Sequence, residues 1–158
     1  LALHNPAALP DSAAGVLSLA GGRLPAGIGL AQAAYARRLR LGGRPRGMWH
    51  AGLHMLGYGP LTRRDATGAA LGDFLANETA LYGGLARAFG PRLRAGATLR
   101  LAQSRIDAAS GWALALDFGL AYQPPSGRWQ AGAALRGLGG ALGQGLLPVG
   151  APRPPAPW

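Results

Sequence analysis

His50 and His54, four residues apart, have the spacing with which one face of a helix could hold a metal ion. On an extended strand the same pair lies about 13 Å apart, too far to ligate one ion without a fold-back. The chain contains no cysteine, so thiolate ligands and disulfides are absent from its chemistry. Its acidic side chains number 6 in all, Asp11, Asp65, Asp73, Glu78, Asp107 and Asp117, and most fall in turn-like segments. General acid and base work needs such groups to converge, and this inventory is thin for it. Asp117-Phe118-Gly119 spells a triplet that binds metal in kinases, but a chain without lysine cannot supply the strand lysine that accompanies it. Asn77-Glu78-Thr79 fits a glycosylation sequon and reads as a loop-to-strand junction, while the Gly-rich run 139–145 lacks the flanking strand and helix of a phosphate cradle. The expectation is a protein without enzymatic activity, cofactor or metal.

What must position these residues is a set of strands. In GWALALDFGLAYQ, Trp112, Leu114, Leu116, Phe118, Leu120 and Tyr122 share one parity, and Ala113, Ala115, Asp117, Gly119 and Ala121 share the other. This is a strand with one large apolar face and one small or polar face. Trp112 and Tyr122 bracket the apolar set over roughly 33 Å of strand, or about 25 Å of height if the strand tilts by about 40°. The neighbours repeat the pattern: Leu93, Leu99 and Leu101 alternate with Arg92, Arg94 and Arg100, Trp49, Leu53 and Met55 with His50, Gly52 and His54, and Trp129 and Leu135 with Gln130 and Arg136. A soluble sandwich also alternates but seldom opens so many strands with tryptophan at the apolar edge. The expected fold class is all-β, an antiparallel transmembrane β-barrel.

Composition sharpens this. At 158 residues the chain is one domain or a part of one, and its 27 glycines argue against long helices. No run of eighteen apolar residues exists, and the opening LALHNPAALP lacks the basic and apolar regions of a signal peptide. The formal net charge of +10 would ordinarily suggest nucleic acid or anionic lipid. Every base is arginine, however, and the arginines read as scattered between turns (Arg44, Arg63, Arg64, Arg92) and one face (Arg94, Arg100, Arg136), not as one stripe. A GC-rich coding bias is the simpler account, and no nucleic-acid partner is expected.

Strands are expected near 14–20, 28–39, 47–58, 76–89, 92–105, 111–123 and 129–138. Gly42-Gly43-Arg44-Pro45, Gly90-Pro91 and Pro124-Pro125-Ser126-Gly127 have the residue types of tight turns, whereas the connection from Gly59 to Phe74 is long. Short turns after even strands and long loops after odd ones match bacterial barrels. Since such barrels close with an even number of strands, residues 1–158 are expected to be a single partial domain, the N-terminal part of a larger barrel lacking its leader and later strands. The proline-rich ending GAPRPPAPW cannot be a membrane strand.

The run from Gly57 to Tyr122 resembles the PorV/PorQ-type outer-membrane proteins of the type IX secretion system, distant relatives of FadL-type transporters. The likeness rests on Gly57, Tyr58 and Gly59, on Asp65, Gly68, Gly72, Asp73 and Phe74, on Ala80, Leu81 and Tyr82, and on Ala115, Leu116, Asp117 and Gly119. The opening Asn5, Pro6 and Ala7 resembles the segment that precedes the first strand in that superfamily, and the Pro-rich end resembles the segment before the second half of a PorQ-like barrel. No single motif is specific; their order and spacing carry the likeness. The chain departs from it in its heavy Arg and Ala content. The resemblance implies a bacterial outer-membrane barrel that anchors or shuttles for the cell-surface attachment complex, with PorU/PorZ-type proteins and outer-membrane lipid as partners. The alternative is a FadL-like transporter of small hydrophobic molecules.

Three groups of residues carry the functional expectations. Arg63, Arg64, Asp65, Asp73 and Phe74 would form a partner-binding loop, because loops of that length are usually functional or disordered. Arg94, Arg100, Asp117 and Arg136 would face the lumen, Asp117 pairing with Arg100 or Arg136 across strands. Trp49, Trp112, Tyr122 and Trp129 would form the membrane girdles.

Overall fold

The alternation around Asp117 lies in a strand whose neighbours extend to either side without interruption. The structure is a computed structural model that describes residues 5–41 and 44–142. Seven strands follow in chain order: β1 (Leu17–Arg23), β2 (Gly29–Leu41), β3 (Arg44–Arg64), β4 (Ala70–Phe89), β5 (Leu93–Ile106), β6 (Ala109–Tyr122) and β7 (Ala131–Ala141). Each pairs antiparallel with the next, giving a sheet of order β1-β2-β3-β4-β5-β6-β7. Among the described residues β1 and β7 do not pair, so the sheet is open. Among the described residues helical structure is confined to single 3-10 turns at Pro6–Ala8, Asp11–Ala13 and Pro25–Gly27, and no helix is long and apolar enough to cross a membrane.

Period-two alternation and register together divide the side chains between two faces. Leu81, Leu101 and Leu114 lie in one row across β4, β5 and β6, and Leu99, Leu116 and Leu138 in another across β5, β6 and β7. Leu135 opposes Phe118 on the same face, so residues 92–136 form three consecutive antiparallel strands with Leu99, Leu116 and Leu135 on one side, as expected. Arg100 pairs with Ala115 and thus lies on the other side from Leu116. The apolar face is bare: Leu19 is 73% exposed, Leu81 54%, Leu116 41% and Leu135 59%.

The opposite face carries small and polar side chains and is crossed by an N-terminal strap, Asn5–Ala14. The strap starts over β7 and β6, where the Asn5 side-chain amide donates to the carbonyls of Leu120 (3.0 Å) and Ala133 (3.4 Å). It passes over β5, with Pro6 and Ala7 buried, and Leu9 joins Met48, Ala86 and Ala36 in an apolar cluster of buried side chains. It ends at β2, where Gly15 N–H donates to Ala36 C=O at 2.7 Å. Glycines make the seat. A Cβ at Gly96 would fall 2.6 Å from the Pro6 carbonyl carbon, and one at Gly119 would collide with Asn5 Oδ1.

Four expectations change. The first strand begins at Leu17 and not near residue 14, because residues 13–15 are taken by the strap's landing on β2. The long loop 59–74 is instead the end of a hairpin, since β3 runs to Arg64 and β4 starts at Ala70. Loop length does not separate the two ends of the sheet: the β5–β6 turn holds only Asp107 and Ala108, while the longest described connection, 123–130, is the β6–β7 one. Trp129 lies in that connection, and β7 starts two residues later. Residues Gly42 and Gly43 of the β2–β3 turn, and the segment 143–158 with its prolines, lie outside the described residues.

Candidate functional site

The strap face brings its polar side chains into a row across the middle of the sheet. Asp117, 2% exposed, opposes Thr98, Thr98 opposes Gly84, and Gly84 opposes His50. Gly84 leaves the room: a Cβ there would lie 2.6 Å from Thr98 Oγ1 and 2.7 Å from His50 Cε1, and through this gap His50 Nε2 reaches Thr98 Oγ1 at 3.0 Å. Tyr82 is buried beside it, its ring 6.3 Å from that of His50. His50 Nδ1 has no partner among the described residues. His54 is on the same face, four residues further along β3, and opposes Ala80, not a second ligand. Among the described residues no three His, Cys, Asp or Glu side chains gather as metal ligands do.

Asp117 is the centre of the row. Its Oδ2 accepts from Arg100 on β5 and lies 4.0 Å from Arg136 Nε on β7, so both anticipated partners converge on it. Its Oδ1 does something the sequence did not announce. Between the Leu116–Leu138 and Phe118–Leu135 pairs, Arg136 and Gly137 both face Asp117, which makes a β-bulge, and Gly137 takes the positive φ of 72° that favours glycine. The freed Gly137 N–H donates to Asp117 Oδ1 at 2.8 Å. One carboxylate thus draws two guanidinium groups together and pins the β6–β7 register. Arg94, the remaining expected lumen residue, stands apart from this row. It binds the strap, donating to Leu9 C=O and approaching Asp11 Oδ1 at 3.3 Å.

The hairpin extends past the rest of the sheet from the Pro60–Leu75 pair to the Arg64–Ala70 pair. Neither face of this extension is covered, which is why its sequence lacks the alternation that marks a half-buried strand. It is nevertheless ordered by polar contacts. Asp65 Oδ1 accepts from Thr67 Oγ1 (2.6 Å), Thr67 N–H (2.9 Å) and Ala69 N–H (2.9 Å), and Arg64 closes the tip by donating to Gly68 C=O at 2.9 Å. The hydrogen bond from Thr67, with those from the backbone, holds the Asp65 carboxyl below its ordinary range. Lower on the stem, Thr62 donates to Asp73 at 2.8 Å, the Arg63 guanidinium stands 5.8 Å from the Phe74 ring, and Arg63 pairs with Asp107 of the β5–β6 turn. All the expected partner-binding residues are therefore in one structure, a braced hairpin in place of a loop.

The expected girdle residues divide between the two ends. Trp112 is near the hairpin end, while Trp49, Tyr122 and Trp129 are toward the other, here called the Trp129 end. Tyr122 and Trp129 pack with ring centroids 5.7 Å apart, and Tyr35 meets Trp49 edge-on at 5.6 Å.

No family model, curated protein or solved structure matches this chain.

Proposed function

We propose that this sheet is a wall segment of a bacterial outer-membrane β-barrel whose role is non-enzymatic, an anchor or shuttle in the surface-attachment complex of a type IX secretion system. The observation that carries the membrane reading is the bare apolar face. Leucines 41–73% exposed on a face that runs unbroken from β1 to β7 have no partner within the described chain. Hydrocarbon is a solvent in which that face costs nothing, and water is not. The small and polar strap face, with Arg100 and Arg136 gathered on Asp117, suits a lumen. The projecting hairpin supports the anchor role: arginines and aspartates flank Phe74 and Leu61 in a rigid frame, which offers orientation and apolar grip to a protein partner of the PorU/PorZ kind.

A FadL-like transporter of small hydrophobic molecules is the second reading. It is favoured by a cavity of about 250 Å³ between strap and sheet, bounded by Leu9, Ala34, His50 and Tyr82.

The test is a pair of substitutions on adjacent residues of β6. Leu116→Arg puts charge on the apolar face, at a cost of about 2–4 kcal/mol near a bilayer midplane, whereas Ala115→Arg puts it on the strap face. Loss of the heat-modifiable, membrane-inserted form with the first and its retention with the second is expected. Equal effects would count against a barrel.

A further inference from the structure

The arginines that looked scattered along the chain are gathered by the fold. Arg37, Arg38 and Arg40 end β2, Arg87 ends β4, Arg92 lies in the β4–β5 turn and Arg128 in the β6–β7 connection, so all of them lie at the Trp129 end and all are exposed. Among the described residues none of them is in an ion pair. The acid nearest to this end, Asp11, sits on the strap and already faces Arg94. The hairpin end differs: Arg23, Arg63, Arg64 and Arg105 are matched there by Asp65, Asp73, Glu78 and Asp107. Most of the charge excess among the described residues therefore lies at one rim.

That rim is ordered in layers. Moving along the apolar face toward the Trp129 end, one passes Leu99 and Leu116, then Leu85, then Leu120, then Phe89, Tyr122 and Trp129; Arg37 and Arg87 stand on this face level with Leu85 and Leu120, and Arg92 and Arg128 lie in the connections beyond. Arg87 illustrates the junction, its guanidinium carbon 5.3 Å from the centroid of the Phe89 ring. Hydrocarbon, then a belt in which amphipathic rings and fixed positive charge occur together, is the sequence of environments met on leaving a bilayer core through its headgroups, where long cationic side chains reach outward. A nucleic-acid surface would want the arginines and rings without the apolar field behind them.

We propose that the arginine rim at the Trp129 end binds the phosphate groups of anionic phospholipids, here phosphatidylglycerol, in the leaflet it meets. The inference rests on the membrane reading above and adds a lipid-specific site to it. Guanidinium groups match phosphate oxygens in paired hydrogen bonds, and free arginines at a negatively charged surface each raise local lipid occupancy about fivefold at low salt.

The protein is inserted into phosphatidylcholine vesicles containing traces of chain-spin-labelled phosphatidylglycerol or phosphatidylcholine, and the relative association of each lipid with the protein is read from the motionally restricted spectrum. Phosphatidylglycerol should be preferred at least fivefold at low ionic strength, the preference falling toward unity at about 1 M salt. Replacing Arg37, Arg87, Arg92 and Arg128 by Gln should abolish it, while Arg23→Gln with Arg64→Gln at the hairpin end should not. Displacement of the labelled lipid by millimolar inorganic phosphate would reassign the rim to free phosphate, and displacement by a short single-stranded oligonucleotide would reassign it to nucleic acid. Equal association of both lipids with an inserted protein overturns the proposal and leaves the membrane reading standing. Failure to insert, with no restricted lipid of either kind, overturns both.

Discussion

Asp117 shows how much one side chain settles in this molecule. It is buried, it faces two arginines, and it also caps the N–H that a β-bulge sets free at Gly137. Replacing it by Asn would keep an acceptor for Gly137 but leave Arg100 without its counter-charge, and removing one partner of a buried pair typically costs about 3–5 kcal/mol. Asp117→Asn is expected to lower stability toward the small end of that range, since Arg100 is only partly buried, and Asp117→Ala to cost more because the bulge also loses its acceptor. Urea unfolding midpoints of the two variants check the order. Asp65 acts at a different place and on a different variable. Its folded pKa is depressed by the bonds from Thr67 and Ala69, so the stabilisation it gives is present above the ordinary aspartate range and is lost as pH falls through the depressed value. The hairpin tip should therefore keep slow amide exchange at Ala69 at neutral pH and lose it in acid, and Asp65→Asn should show the acid behaviour at every pH.

At the scale of elements, legibility followed burial. Strands β3 to β7 could be read because one face of each differs chemically from the other, and Trp112 to Tyr122 is the clearest instance. The outer part of the hairpin has no such contrast, so Pro60, Thr62 and Arg63 read as loop although they belong to a strand. The pairing of Asp117 with Arg100 and Arg136 was foreseeable from parity, but the bulge was not, because it depends on a register that no single strand encodes. The arginine rim escaped notice for the same reason: Arg37, Arg87 and Arg128 are far apart in sequence and meet only through strand order. The strap rests on glycines whose purpose is visible only once Asn5 and Pro6 lie on them. Gly119→Val is accordingly expected to displace the strap and destabilise the protein by about 2–4 kcal/mol by overpacking and by loss of the Leu9 contacts, while Gly22→Val, which has open space, should be close to neutral. Limited proteolysis within residues 5–14 reports the displacement. Shortening residues 62–71 to a tight turn should leave insertion intact and abolish co-purification of the surface-complex partner. If the shortened protein inserts and keeps both partner and cargo attachment, the hairpin is not the docking surface.

At the scale of the whole molecule, one open sheet has two faces with opposite requirements and two ends with opposite electrostatics. Among the described residues the apolar face has no cover, the strap face has a fitted one, and charge is balanced at the hairpin end but not at the Trp129 end. The strap adds a constraint on the order of events. It precedes β1 to β7 in synthesis, yet the Asn5 side chain completes its contacts on Leu120 and Ala133, separations of 115 and 128 residues. Closing such distances adds little free energy, about 0.6 kcal/mol per doubling of the loop. What it adds is delay, because contacts of long sequence separation form late. The earliest described residues of the chain must stay undocked until β6 and β7 are in register, and the bulge held by Asp117 is what sets that register. Seating of the strap would then serve as a checkpoint, distinguishing a sheet in which β6 and β7 have paired from one in which they have not.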